Sequence, residues 1–125
     1  MINIKNFIEL QKNKYYAIKY VHSIIFLHQE IVFNKTGFTH LIRKGKHHRS
    51  TSEKIRRLNL LDYIVPILEN HDVEIEYKFV QNNGNKTHFW GITKIIDNVR
   101  IKIIIYKVND GKLTFLSIMN YTKGK

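Results

Sequence analysis

From Val73 onward the chain is written in a two-residue period. Val73, Ile75, Tyr77 and Phe79 alternate with Glu74, Glu76 and Lys78, the pattern of a strand with one face toward a core. Asn82-Asn83-Gly84-Asn85 reads as a turn, His88 to Ile96 as a second strand, and Asp97-Asn98 as another turn. Val99 to Val108 is a third strand, Asn109-Asp110-Gly111 a strong hairpin signal, and Lys112 to Tyr121 a fourth strand. The connections are too short for crossovers, so consecutive strands pair antiparallel as a meander. Such a sheet must bury one face against whatever precedes it.

What precedes it is largely helical. Asn3 to about Gln11 predicts a short amphipathic helix with Ile4, Phe7 and Ile8 on one side. Tyr15 to Phe33 admits strands or a helix through Ile18, Val21 and Ile25; Ile31 to Phe33 reads as extended and Asn34 to Gly37 as a turn. Phe38 to Ile42 begins a short helical or irregular piece that Gly45 breaks, and Lys44 to Arg49 reads as a loop. Ser50 followed by Glu53 is a capping box. Ile55, Leu58, Leu61, Ile64, Val65 and Leu68 then recur at helical spacing, until Pro66 ends or kinks the helix. The expectation is an α+β fold: N-terminal helices packed on one face of a C-terminal four-stranded antiparallel meander. It is a single domain over 1–125, helical or mixed over about 1–70 and β over about 72–121. With 125 residues, 43% of them hydrophobic, the chain is long enough for one core without staples. It has no cysteine, which excludes disulfides and thiolate zinc sites. No secretory leader or membrane span is legible, and the expected location is the cytoplasm.

Charge narrows the function. Lys and Arg number 21 against ten Asp and Glu, a formal +11, which is the footprint of a polyanion binder. Between Lys35 and Arg57 stand Lys35, Arg43, Lys44, Lys46, Arg49, Lys54, Arg56 and Arg57, joined by His40, His47 and His48, with Glu53 the only acid. Compositional drift toward lysine would not gather four arginines in one segment of a chain that has only Arg100 besides. Guanidinium forks bind phosphate in a bidentate way that lysine cannot.

The segment Thr39 to Ser50 holds the residue types that metal-free RNA cleavage needs. Histidine suits the base that takes the 2′-hydroxyl proton and the acid that protonates the leaving oxygen. On this reading His40 and either His47 or His48 are that pair. Lys44 and Arg49 hold the phosphate and its developing charge, and Ser117 orients a histidine or the phosphate. Arg43, Lys46, Arg56, Arg57 and Lys78 extend a basic groove, and Trp90 and Tyr106 offer stacking surfaces for bases. A metal ion is disfavoured, because cations surround the histidines and Glu53 is the only nearby carboxylate.

The run His40-Leu-Ile-Arg-Lys-Gly-Lys-His-His-Arg-Ser, then Glu53-Lys-Ile-Arg-Arg-Leu-Asn-Leu-Leu, resembles the small phage and toxin-type members of the Barnase–EndoU–Colicin–RelE-like (BECR) ribonuclease superfamily. The resemblance covers roughly Phe33 to the C-terminus. It lies in the order of a histidine-bearing segment, a basic helix and a four-stranded meander ending in a Ser-bearing strand. It implies an endoribonuclease acting without a cofactor on RNA, tRNA or mRNA, and leaving a 2′,3′-cyclic phosphate. It also implies control by an acidic antitoxin or immunity protein. His40 matches the family's early histidine and Ser117 the hydroxyl of its last strand.

Overall fold

The computed structural model describes residues 3–122. Helix α1 (Ile4–Ile18) leads to strands β1 (Tyr20–Ser23) and β2 (Gln29–Val32), helix α2 (Lys35–Ile42), and the two-residue strands β3 (Arg43–Lys44) and β4 (His47–His48). Helix α3 (Thr51–Leu58) and the short α4 (Ile64–Leu68) follow. The chain then runs through β5 (Glu74–Asn82), β6 (Asn85–Ile96), β7 (Val99–Val108) and β8 (Leu113–Thr122).

The predicted meander is present as β5 to β8, but it is not the whole sheet. The sheet has six strands in the order β1-β2-β8-β7-β6-β5. It is mixed rather than antiparallel: β2 runs parallel to β8, Ile31 against Leu113 and Val32 against Thr114. The expectation of a four-stranded antiparallel meander is therefore corrected. The missing strands are four residues each, too short for alternation to declare itself within the ambiguous Tyr15 to Phe33 segment. Placing β8 inside the sheet lets the N-terminal half contribute strands as well as cover.

The helices also differ from the expectation in specific ways. Helix α1 runs to Ile18 because Ile4, Ile8, Gln11, Tyr15 and Ile18 form one stripe at helical spacing; a buried Gln11 in that stripe hides its continuity. Asn3 caps it, accepting from the amide N–H of Lys5 and Asn6. Asn34 likewise caps α2, so the expected turn at Asn34 to Gly37 is the helix's first turn. The expected single helix from Ile55 to Leu68 is two, parted by a 3-10 turn at Leu61–Tyr63. Pro66 explains the break: it has no N–H to donate and its ring opposes the carbonyl four residues back. It is tolerated in the first turn of a new helix, where that bond is absent anyway.

The core is aromatic where α1, α2 and β8 meet. Tyr15 touches Phe33, Phe38 and Phe115 at centroid separations of 5.5–5.8 Å, and Phe33 stacks on Phe115 at 5.1 Å. The Tyr15 hydroxyl donates to the Asn34 carbonyl at 2.6 Å, and burial holds its phenol far above the ordinary tyrosine pKa. Gly37 lets α2 lie directly on β8: a Cβ there would collide with the Tyr15 hydroxyl and come within 2.8 Å of the Phe115 carbonyl oxygen. No helix among the described residues is long and apolar enough to cross a membrane.

Candidate active site

On its β8 side, strand β2 reaches only Leu113 and Thr114. Beyond them the outer edge of β8 is left for α2 and α3 to cover. A bulge at the same place re-aims the strand. Ile105 faces Phe115 but Ile104 faces Ser117, so Leu116 is the extra residue. The simple alternation puts Ser117 in line with Leu113 and Phe115. After the bulge Ile118 takes the core phase, fully buried, and Ser117 is freed to meet α3.

The residue it meets is Arg57. Its Nη1 donates to Ser117 Oγ at 3.0 Å and to the Ile118 carbonyl at 3.3 Å, and its Nε donates to Glu53 at 3.0 Å. Arg57 is only 12% exposed. Glu53 also accepts from Arg56. Ser50 Oγ accepts from the Glu53 amide at 3.2 Å as expected of an N-cap, while the Glu53 carboxylate pairs with Arg56 and Arg57 one turn on. Burial raises the Glu53 pKa, but the Arg57 hydrogen bond and the two guanidinium charges outweigh it and hold the carboxyl below its usual range.

His40 and Arg49 complete the cluster. Arg49 Nε donates to the His40 carbonyl at 3.0 Å, and its own amide donates to Ile42, which ties the start of α3 back to the end of α2. His40 is half-buried, and desolvation together with the charges of Arg49 and Arg57 lowers its pKa. An imidazole so placed is neutral near pH 7 and able to take a proton. Burial, then the neighbouring Arg57, also lowers the Arg49 pKa. Lys44, His47, His48, Arg49, Ser50, Glu53 and Arg57 line an open cleft of about 460 Å³.

The predicted Lys44 to Arg49 loop is a hairpin: Arg43 pairs with His48 and Lys44 with His47, around Gly45 at φ +63°. His47 and His48 stand exposed on it. Arg43 Nη1 lies 3.0 Å from His48 Nε2 and its Nη2 donates to the Lys46 carbonyl. The charges of Arg43 and Lys54 lower the His48 pKa. Among the described residues no three His, Cys, Asp or Glu side chains group as metal ligands.

No family model matches the chain. Neither a curated protein nor a solved structure matches it.

The sheet residues do not form one groove. Trp90 pairs with Ile105, on the helix-covered face, where it packs edge-on against Phe26. Tyr106 pairs with Phe89 and stacks on it, on the opposite face. Lys78 belongs with Tyr106: it lines a cavity of about 330 Å³ with Phe89, Gly91 and Ile104. Lys102 crosses that cavity to reach Glu76 at 3.3 Å. The pairing register separates Trp90 from Tyr106: opposite residues share a face, Trp90 stands opposite Ile105, and Tyr106 is the next residue along that strand and so faces the other way. Arg43, Lys46 and Arg56 do not line the cleft: Arg43 contacts His48 and the Lys46 carbonyl, and Arg56 pairs with Glu53. Arg57, expected as a peripheral cation, does line it, bonded to Glu53. The spacing Glu53-Arg56-Arg57 is the sequence signal for that pairing.

Proposed function

We propose that this chain is a metal-independent endoribonuclease whose site is the cluster of His40, Arg49, Arg57 and Ser117. The observation that carries the reading is a half-buried imidazole, His40, under the charges of Arg49 and Arg57, the two guanidinium groups that line an open cleft. His40, deprotonated at neutral pH, takes the proton of a ribose 2′-hydroxyl. The 2′-oxygen attacks phosphorus, and the 5′-oxygen leaves with a proton from the hairpin, where His47 is the donor of choice because Arg43 and Lys54 lower the pKa of His48. Arg49 and Lys44 bind the phosphate and balance charge that builds on it. Ser117 is a positioning residue, since it accepts from Arg57 and fixes that guanidinium. The substrate on this reading is cytoplasmic tRNA or mRNA, and the inhibitor is an acidic antitoxin or immunity protein, matched to the +11 chain by charge.

The test is incubation of the purified protein with labelled RNA in EDTA, followed by end-group analysis. Fragments ending in 2′,3′-cyclic phosphate are expected. Joint replacement of His40, His47 and His48 by alanine should abolish them while salt-dependent binding persists. Intact RNA, bound by folded protein, would replace the enzyme with a non-catalytic nucleic-acid-binding module. Absence of RNA affinity at modest salt would leave a protein-interaction adaptor.

A further inference from the structure

Strand β5 ends the sheet and pairs only with β6. It is nine residues long, regular in register from Glu74 to Asn82, and has no proline or bulge. Its outer N–H and C=O groups form an open template of the kind that proteins ordinarily blunt. The predicted half-buried face is not buried either: the helices stop short of it, and Ile75, Tyr77 and Phe79 are 50%, 56% and 45% exposed. Beside them on β6, His88 and Trp90 continue the apolar surface. Tyr77 lies 2.6 Å from His88 through its hydroxyl and packs against both rings.

We infer that β5 is the dimerisation edge of this protein and that its occupant is β5 of a second copy. The strand is self-complementary about Tyr77. In an antiparallel pair with Tyr77 on the two-fold axis, Ile75 faces Phe79 and Glu76 faces Lys78, each twice. The apolar residues of both copies then share one face, and the Glu76–Lys78 pairs share the other. Moving the axis to Glu76 or Lys78 keeps the faces but sets Glu76 against Glu76 or Lys78 against Lys78, so charge selects the register about Tyr77. The net +11 does not oppose the contact locally. Asp72 pairs with Lys94 and Glu76 with Lys102, so charge around β5 is close to balanced. The basic cleft lies across the sheet, at β8. Pairing makes one continuous sheet of two copies, with β1 of each at its far ends and each cleft beside its own β8, three strands from the shared edge. It stands apart from the proposed chemistry and would hold for a binding module as well.

Sedimentation of the full chain across a wide concentration range should reveal a monomer–dimer equilibrium; a monomer at every concentration overturns the inference. Tyr77→Arg, at an exposed position, should weaken dimerisation at least tenfold, and an unchanged dimer would mean another face. Glu76→Lys sets like charges opposite each other and should weaken the dimer, while Glu76→Lys with Lys78→Glu restores it; failure of that rescue rejects the register. The chain has no cysteine, so Tyr77→Cys provides a direct reading. Mild oxidation should link two copies through that position and leave Asn82→Cys unlinked, and equal linking of the two refutes pairing about Tyr77.

Discussion

Arg57 does two jobs with one guanidinium. It neutralises Glu53 and it satisfies the Ser117 hydroxyl and the Ile118 carbonyl on the edge of β8 that β2 leaves unpaired. Arg57→Ala leaves a partly buried carboxylate without its main partner, and urea titration should find a loss of about 2 kcal/mol. Arg57→Lys keeps the charge but cannot make the forked contacts, so it should recover stability only in part and cleavage hardly at all. The pKa of Glu53 lies below its ordinary value when folded. The stability it contributes is therefore present above the ordinary carboxylate range and is lost as pH falls through the lowered folded value. Glu53→Gln should be less stable at pH 7 and show a shallower acid loss, measured by denaturant unfolding from pH 7 downward. His40 has the opposite charge type but the same sign of slope. Its folded pKa is lowered, so the native state binds fewer protons than the unfolded chain below histidine's ordinary value of about 6.5. For catalysis the same shift keeps the base available at lower pH. The acid limb of kcat/KM should fall below about pH 6.5, from the ordinary histidine value, and His40→Ala should remove it.

At the scale of elements, α2 matters because Gly37 allows it to touch β8 and thereby brings His40 near Arg49 and Arg57, which line the cleft. Gly37→Ala places a methyl against the Tyr15 hydroxyl and the Phe115 backbone, neither of which is a flexible chain end. A loss of roughly 2–3 kcal/mol by thermal or urea unfolding is expected from overpacking, with cleavage reduced further because α2 must back away. The elements legible in the sequence are those with enough residues to declare a period. The meander is readable from its alternation and its Asn, Asp and Gly turns, where Asn83, Gly84, Asp97 and Asn98 all take positive φ. The four-residue β1 and β2 are not, and neither is the parallel pairing of β2 with β8, which no local pattern encodes. At the candidate site, residue type proposes His40 and Arg49, while strand spacing and the family resemblance propose Ser117. Their meeting depends on the Leu116 bulge, and a bulge reverses the very alternation that sets Ser117 in line with Leu113 and Phe115.

The whole molecule is electrically uneven. Its arginines gather in the segment that forms the cleft, while Asp72, Glu74 and Glu76 lie at the β5 end. On the proposed function, RNA affinity should therefore fall steeply with salt, linearly in a double-logarithmic plot. Replacing Lys44 and Lys46 by alanine should flatten the slope by about 0.7 for each single-strand phosphate that the protein ceases to neutralise. Replacing Lys78, across the sheet in a different cavity, should alter it less. Filter binding over a salt series would measure both.

Because β8 lies between β2 and β7, the two halves of the sheet join only through it. Its partners Ile31 and Val32 come about eighty residues earlier, so this pairing waits until β8 has been synthesised. A chain still on the ribosome, with β8 not yet released, has no Ser117 for Arg57 and no edge for α2 to rest on. Synthesis thus sets its own safety interval: a protein that attacks RNA as proposed stays harmless to the message encoding it until translation has passed the last strand.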